Sequence, residues 1–273
     1  MRALLLLLFL SACGTSPHPT TGLTTQFQLR SEIADDTYDI LVRVPPGYET
    51  SERSYPIVYQ LDATFLDEMA YATGAISELE TKGEIAETIV VGIGHRYNPN
   101  KERGRFTDFV VPDPSAPKTT DRAPLFYRFL RDELAPKVEA DFRIDLSSGR
   151  TLMGHSLGGL FTLYAFFQDD ASGAPFLARA LAADPSYGTN DGAIFAHQAA
   201  YAASHPTRAG RLFLTASMFT GGSQKFPHEE MVRRITKDLP GVSLDATYVR
   251  TTHGGLIPIA MAQGIPFVLG GSQ

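Results

Sequence analysis

The sequence predicts an α/β domain in which helices cover both faces of a mostly parallel sheet. Short, almost wholly apolar runs alternate with helix-length segments along most of the chain, and such runs are typical of strands buried on both faces of a sheet. Two strand-like segments near the N-terminus alternate polar and apolar residues instead, which indicates an antiparallel start. The chain has 273 residues. Because no repeat or linker interrupts the pattern, we expect one domain over residues 24–273.

The predicted strands follow from these two apolar patterns. Alternating residues define the first two strands, and Pro45, Pro46 and Gly47 end the second. Short apolar runs define the later strands. In chain order the predicted strands are Thr24–Ile33, Thr37–Val44, Pro56–Leu61, Thr88–Ile93, Arg150–Met153, Leu177–Ala183, Arg211–Ala216 and Asp245–Arg250.

The predicted helices lie between these strands. Leu66–Thr81 has apolar residues near a 3.6-residue period and is followed by Gly83, which is typical of a helix end. A second helix begins at Pro124 and carries apolar residues as far as Val138. The segment 95–123 before it is rich in Pro, Gly and charge, and loops of that length are usually functional or disordered. The remaining predicted helices are Leu157–Gln168, Asp191–Ser204, His228–Asp238 and Gly255–Val268.

The N-terminal segment predicts a lipid-anchored protein. A basic start is followed by the apolar run Leu4–Leu10, which is too short to span a bilayer core of about 30 Å. Leu10-Ser11-Ala12-Cys13 resembles the lipobox of bacterial lipoproteins. We therefore expect a signal peptide at 1–12 and a flexible tether at 13–23 with a lipidated Cys13, which would hold the domain on the periplasmic or outer-membrane face of a bacterial envelope. An ordinary signal peptide with an incidental cysteine is the alternative.

Composition and charge exclude several classes of function. The 24 Lys and Arg residues against 30 Asp and Glu residues give a formal charge of −6, which argues against nucleic acid as a partner. Cys13 is the single cysteine, so the chain can form no internal disulfide and no multi-thiolate metal site. We expect neither a metal nor an organic cofactor.

The motif that carries chemistry is Gly154-His155-Ser156-Leu157-Gly158. It follows a predicted strand and precedes a predicted buried helix, which is where a G-x-S-x-G nucleophile elbow has to lie. The flanking glycines let the serine adopt a strained backbone, and the helix dipole favours negative charge at its Oγ. Ser156 is therefore the predicted nucleophile.

An alkoxide nucleophile needs a base, and hydrolases with this motif place the base near the C-terminal end of the chain. His253 follows the last predicted strand and precedes two glycines, so it is the predicted base. The residue that would act as the acid is left open, because the turn after residue 216, where it is expected, has no Asp or Glu. Glu229 and Asp184 are candidates, and a Ser-His dyad without a carboxylate is the third possibility.

The oxyanion hole of such enzymes usually combines two backbone amides. One belongs to the residue after the nucleophile, which is Leu157 here. The other comes from the loop after the third strand, where Ala63 is the candidate.

Several segments together resemble one family, the esterase D-like α/β-hydrolases, and within it the trilactone-siderophore (enterochelin-type) esterases. The resemblance implies the α/β-hydrolase fold and supports the roles given above to Ser156 and His253. It also implies that Arg105 and Asp108 rim the active site and that Tyr187 lies on the pocket wall, so Arg105 and Tyr187 are predicted to bind substrate. The matching segments are 59–62 (YQLD), 91–94 (VGIG), 105–109 (RFTDF) with Pro112, 134–136 (LAP), 154–159 (GHSLGG), 184–187 (DPSY) and 253–258 (HGGLIP).

The chain also departs from the family pattern. Ala63 stands where the family commonly has glycine, and Tyr187-Gly188 stands where it commonly has tryptophan. These differences indicate a pocket shaped for a different acyl or alcohol group. Arg105 and Asp108 could equally form a salt-bridged clasp of their loop without touching substrate.

The sequence thus predicts a serine esterase that cleaves a small carboxylic ester, such as a siderophore lactone, through an acyl-enzyme. Two alternatives stay open. One is acyl transfer to a sugar or another alcohol by the same residues. The other is a catalytically inactive lipoprotein that binds a ligand in the cleft, which the missing carboxylate would explain.

Overall fold

A twisted sheet of eight strands forms the centre of the part of the chain that the structure describes. The structure is a computed structural model and describes residues 24–65, 67–96, 104–218 and 225–271. In chain order the strands are β1 (Thr24–Ser31), β2 (Asp36–Arg43), β3 (Ile57–Gln60), β4 (Ile89–His95), β5 (Arg150–His155), β6 (Arg179–Ala183), β7 (Gly210–Ser217) and β8 (Val242–Val249). Across the sheet they are ordered β1-β2-β4-β3-β5-β6-β7-β8. β2 pairs antiparallel with both β1 and β4, and every other neighbouring pair is parallel. This arrangement confirms the predicted mostly parallel sheet with antiparallel N-terminal strands.

Each predicted strand has a counterpart in the sheet. The largest difference is at the last strand, which begins at Val242 instead of Asp245 because Gly210 of β7 already pairs with Val242.

The helices also follow the prediction, with two differences. The helix predicted from Pro124 contains a π-helical stretch, Phe129–Leu134, just before Pro136, whose missing N–H and ring do not fit a regular α-helix. The segment predicted as a loop contains the short helix α2. The helices are α1 (Glu68–Lys82), α2 (Arg105–Asp108), α3 (Ala123–Arg128), α4 (Ala135–Asp141), α5 (Leu157–Phe166), α6 (Ala193–Ser204), α7 (Lys225–Asp238) and α8 (Leu256–Leu269).

Helices cover both faces of the sheet. α1 and α8 pack over one face, where Val58 and Leu181 are buried with them. Helices α3, α5, α6 and α7 contribute to the core on the other face, where Ile57 and Tyr59 of the same β3 strand are buried. Successive side chains of β3 therefore enter opposite cores, which is the physical reason that its sequence is apolar without alternation.

The N-terminal predictions fall outside this description. Residues 1–23, which include the predicted signal peptide, Cys13 and the tether, lie outside the described residues. Among the helices that the structure does describe, none has both the length and the apolar character needed to cross a bilayer.

The parallel strands set the position of the candidate site. The carboxyl ends of β3, β5, β6 and β7 meet at the same edge of the sheet, so the turns that follow these strands lie side by side. Three of these turns contain a residue other than glycine with a positive φ, namely Asp62, Ser156 and Asp184. Such backbone conformations cluster at functional sites.

Candidate active site

Ser156 occupies the sharp turn between β5 and α5. Its backbone has φ 61° and ψ −121°, a combination that residues with a side chain rarely adopt. The Ser156 N–H donates to the carbonyl of Ala183 at 2.9 Å, and the Ser156 carbonyl accepts from the N–H of Ser186 at 3.1 Å. These two hydrogen bonds tie the turn to the end of β6 and hold Ser156 in its unusual conformation.

The glycines of the motif let the chain pack tightly around this turn. A Cβ on Gly154 would come within 2.6 Å of the backbone of Gly158, and one on Gly159 within 2.6 Å of the carbonyl oxygen of Ala183. A side chain at either position would therefore force α5 away from β5 and β6. The pattern G-x-S-x-G-G thus describes a steric requirement of the turn as well as a sequence motif.

The histidine predicted as the base is held by a carboxylate. His253 lies between β8 and α8, and its Nδ1 is 2.7 Å from Oδ2 of Asp184, which follows β6. Of the two acid candidates, the structure therefore brings Asp184 to His253. Glu229 is exposed on α7, 3.8 Å from Lys225, and makes no contact with His253.

Hydrogen bonds keep Asp184 ionised although its side chain is fully buried. Ser217 at the end of β7 donates its N–H to Oδ1 at 3.1 Å and its Oγ–H to Oδ2 at 2.6 Å. Burial alone would raise the pKa of Asp184, but the hydrogen bonds from His253 and Ser217 hold it below its ordinary value. An ionised carboxylate at this position orients His253 and stabilises its protonated form.

The position of Asp184 also explains why the sequence alone does not show which residue is the acid. The expected position after β7 is occupied by Ser217, which is a donor to the acid. Because β6 and β7 are neighbours in the sheet, a carboxylate one strand earlier reaches the same histidine. The only signal for this in the sequence is a carboxylate directly after a buried strand.

Ser156 and His253, the predicted nucleophile and base, follow strands β5 and β8 and share no direct hydrogen bond. Among the described residues, Ser156 Oγ has one hydrogen-bonding contact, with Ser186 Oγ at 3.5 Å. The His253 ring lies against the ring of His155, the residue before the nucleophile, with 4.3 Å between ring centroids. Catalytic hydrogen bonds often tighten only when substrate binds, so the lack of this bond does not argue against a Ser-His pair.

The structure corrects one of the two predicted oxyanion donors. The Ala63 N–H donates to the carbonyl of Ile93 on β4 at 3.1 Å, so it is already engaged in the sheet. The following amide, that of Thr64, has no hydrogen bond to another described residue. Leu157 is the first residue of α5, where N–H groups have no partner within the helix, and its predicted role as a donor stays a prediction.

Arg105 and Asp108 form ion pairs, but not with each other. Arg105 binds Asp62 through two parallel contacts, Nε to Oδ1 at 2.8 Å and Nη2 to Oδ2 at 2.9 Å, and both side chains are buried. Asp108 pairs instead with Arg122 at 2.8 Å. Arg105 thus holds the loop after β3 from within the protein, and its predicted contact with substrate stays a prediction.

Tyr187 does not lie on an accessible pocket wall, which corrects its predicted role. Its side chain is 1% exposed, packs against the ring of Phe195, and places its hydroxyl 3.4 Å from Nδ1 of His228. A side chain without exposed surface cannot bind substrate in this arrangement. Tyr187 instead belongs to the hydrophobic core, three residues after Asp184.

Two residues that the sequence does not indicate, Ser217 and His155, also contact Asp184 and His253. His155 Nε2 is 3.0 Å from the carbonyl oxygen of His253. The ligand-type atoms of His155, Asp184 and His253 lie within 4.8 Å of one another, a spacing that a metal ion could also use. Because Nδ1 of His253 and the carboxylate of Asp184 already bind each other, we assign the cluster to acid–base chemistry.

Comparison with known proteins finds similarity to esterases. The Esterase family model, described as putative esterase, matches residues 31–173. The chain is 30% identical to the ferri-bacillibactin esterase BesA of Bacillus subtilis over 179 residues, which cover 59% of this chain and 61% of that protein. It is 32% identical to the siderophore triacetylfusarinine C esterase of Aspergillus fumigatus over 151 residues, 52% of this chain and 50% of that protein. The chain thus spans between a half and two thirds of the length of these curated relatives.

Solved structures show the same architecture. An IroE-like serine hydrolase from Shewanella oneidensis has a TM-score of 0.74 to this chain at 24% sequence identity, over 90% of this chain and 80% of that chain. At this level of identity the likeness concerns the fold. It confirms the α/β-hydrolase fold that the sequence predicts.

Proposed function

Because this chain belongs to the Esterase family, we propose that it is a serine hydrolase that cleaves a small carboxylic ester of the siderophore type. The contact of 2.7 Å between His253 Nδ1 and Asp184, next to the strained turn of Ser156, is the observation that carries the proposal. The family match ends at residue 173, before Asp184 and His253. The geometry of these two residues is therefore an argument independent of the match.

The proposed reaction follows from the positions of these groups. Ser156 Oγ attacks the ester carbonyl carbon while His253 Nε2 takes its proton, and Asp184 stabilises the resulting imidazolium. The oxyanion forms at the N-terminus of α5, where free N–H groups and the helix dipole favour negative charge. The leaving alcohol takes the proton from His253, and a water molecule activated by His253 then hydrolyses the acyl-enzyme.

Exposed aromatic rings near the loop after β3 support an ester with apolar or aromatic groups. Phe65 and Phe106 are 40% and 69% exposed. The guanidinium of the buried Arg105 lies 4.8 Å from the centre of the first ring and 5.2 Å from that of the second, so both exposed rings pack on the same side chain. Clustered exposed rings commonly mark a ligand surface. The curated relatives are named as esterases of bacillibactin and triacetylfusarinine C, and we propose the same broad class of substrate here.

The geometry argues against one of the two alternative functions. A missing carboxylate would explain an inactive binding lipoprotein, but Asp184 supplies a carboxylate next to His253. Acyl transfer uses the same residues, so it differs only in whether water or an alcohol attacks the acyl-enzyme. Product analysis with and without a competing alcohol separates transfer from hydrolysis.

The activity is tested with p-nitrophenyl acetate and ferri-bacillibactin as two substrates of the full chain. Ser156→Ala should keep the circular dichroism spectrum of the wild type and lose at least about 10³-fold in kcat. A fluorophosphonate should label the wild type and not the variant. Turnover retained by Ser156→Ala would contradict the mechanism. Cleavage of the acetate without cleavage of the siderophore would contradict only the substrate class.

We also propose that Cys13 carries a lipid that anchors the protein in a bacterial envelope. The apolar run Leu4–Leu10 and the lipobox-like residues at 10–13 support this proposal. In a bacterial host the wild type should fractionate with membranes, and Cys13→Ser should be found in the soluble fraction. A Cys13→Ser protein that stays with the membranes would contradict lipidation at this residue.

A further inference from the structure

A buried carboxyl group lies behind the catalytic histidine and takes no part in the reaction described above. Glu68 is the first residue of α1, and its side chain has no exposed surface. Its Oε2 accepts a hydrogen bond from Nε2 of Gln60 at 3.2 Å. Its Oε1 is also buried and has no hydrogen bond to another described residue, and it lies 3.6 Å from Nδ1 of His155.

His155 connects this carboxyl group to the loop that carries the base. Its Nε2 is 3.0 Å from the carbonyl oxygen of His253. Its ring also lies against the ring of His253, tilted by 40°. A carbonyl oxygen can only accept a hydrogen bond, so Nε2 of His155 has to carry the hydrogen.

The protonation states of His155 and Glu68 then indicate which of the two carries the proton between Nδ1 and Oε1. Burial, together with the nearby His253, lowers the pKa of His155 to about 4, so its ring is neutral near pH 7 and Nδ1 has a free lone pair. Burial, together with the charge of Asp62, raises the pKa of Glu68 to about 9, so this carboxyl group keeps its proton near pH 7. A protonated Oε1 facing Nδ1 is a donor facing an acceptor, whereas an ionised carboxylate would face a lone pair and repel it.

We propose that Glu68 and His155 are positioning residues for the catalytic base. The neutral carboxyl of Glu68 holds His155 in the tautomer that donates to the His253 carbonyl, and this hydrogen bond fixes the loop that presents the imidazole of His253. The inference rests on the proposed role of His253 as the base.

The charged and titratable groups around the pair come from several elements. Asp62 after β3 and Arg105 on α2 face Glu68, with opposite effects on its proton. His155 faces His253 and Asp184 in addition. The pH dependence is therefore compared between variants at Glu68 itself, which leave the neighbouring charged groups unchanged.

Ionisation of Glu68 gives the first test. The kcat of the wild type for p-nitrophenyl acetate, corrected for spontaneous hydrolysis, should fall as the pH rises through about 9, with little change in KM. Glu68→Gln carries an N–H donor at every pH, so it should remove this fall. Glu68→Leu has a similar size but no donor and should lower kcat by about 10-fold at neutral pH, most of which Glu68→Gln should restore.

A pair of variants at His155 gives the second test. His155→Phe keeps a ring against His253 without a donor and should lower kcat by about 10- to 100-fold. His155→Gln keeps a donor near the position of Nε2 and should restore part of that loss. Wild-type kcat in His155→Phe, or an unchanged alkaline fall in Glu68→Gln, would overturn the inference.

Fluorophosphonate labelling separates this inference from the proposed function. A wild type that is not labelled contradicts the activated serine itself. A wild type that is labelled, together with a Glu68→Gln variant that has the wild-type pH profile, contradicts the positioning role alone.

Discussion

Asp184 shows how the groups around one residue decide its protonation. Two hydrogen bonds from Ser217 and one from His253 converge on a carboxylate that has no exposed surface. Because these bonds favour the ionised form, they lower the pKa of Asp184 against the effect of burial. The same bonds also fix the direction of the carboxylate, so one set of contacts supplies both its charge and its orientation.

Asp184→Asn should lower kcat/KM for p-nitrophenyl acetate by about 10³- to 10⁴-fold, because an amide can hold His253 in the wrong tautomer and cannot stabilise its cation. Glu229→Gln is the matched control, since Glu229 is an exposed carboxylate on α7. Its rate should stay within a factor of about two, as expected for a surface substitution away from the site. Full activity in Asp184→Asn would show that the serine and histidine act as a dyad.

The same substitution should change how stability depends on acid. The folded-state pKa of Asp184 lies below its ordinary value of 3.8, so its ionised form stabilises the protein above that value, and this contribution is lost as the pH falls through the folded-state pKa. The difference in free energy of unfolding between wild type and Asp184→Asn should therefore shrink toward acid pH. Urea unfolding at a series of pH values measures it, and a difference that grows as the pH falls would contradict the assignment.

At the scale of elements, the close approach of α5 to β6 determines where the nucleophile lies. A Cβ on Gly159 would come within 2.6 Å of the Ala183 carbonyl oxygen, the same oxygen that accepts the N–H of Ser156. Helix α5 can therefore begin directly after Ser156 only because this position lacks a side chain. A Cβ on Gly74, in the middle of α1, would meet no described atom within 4 Å, so that glycine bears no such constraint.

Gly159→Ala should destabilise the protein by about 1–3 kcal/mol, because the added methyl group has to push α5 away from β6. Gly74→Ala should instead stabilise it by about 0.5–1 kcal/mol, since alanine is the better helix former in open space. Urea unfolding of the two variants beside the wild type measures both changes. The interpretation of α5 packing fails if the two alanine variants shift the midpoint in the same direction.

The elements also show what the sequence can predict. Runs such as Ile57–Gln60 indicate buried strands correctly because burial on both faces removes polar residues from the pattern. Periodicity predicts a continuous helix from Pro124, but it does not reveal the π-helical stretch that precedes Pro136. The place of Ala63 in the chain predicts an oxyanion donor, whereas its bond to Ile93 depends on a contact between strands that local sequence does not contain.

At the scale of the whole molecule, the candidate site depends on the order of the strands. Ser156 and His253 are predicted from a motif and from chain order, and both roles stay predictions. Asp184 cannot be chosen over Glu229 from sequence, since the choice requires that β6 and β7 be neighbours at the edge where His253 arrives. The roles of Arg105 and Tyr187 rest on resemblance, and their burial depends on packing that only the assembled fold contains.

The backbone of Ser156 has a consequence for the stability of the whole protein. Its φ of 61° strains any residue with a Cβ, at a cost of about 1–3 kcal/mol, whereas glycine adopts it freely. Ser156→Gly should therefore unfold at a higher temperature than Ser156→Ala, by about 2–4 °C per kcal/mol of strain removed. Differential scanning calorimetry of the two variants measures the difference, and a Ser156→Gly variant that melts below Ser156→Ala would mean that the strain is smaller than the cost of about 0.5–1 kcal/mol that glycine adds through its freer unfolded chain.

Under the proposed mechanism, activity and heat resistance are thus opposed at a single position of this chain. Stability alone would favour glycine at 156, whereas the proposed reaction requires the hydroxyl group of serine. Because the strain lowers its stability, we expect the protein to tolerate fewer other destabilising substitutions than a homologue with glycine at this position.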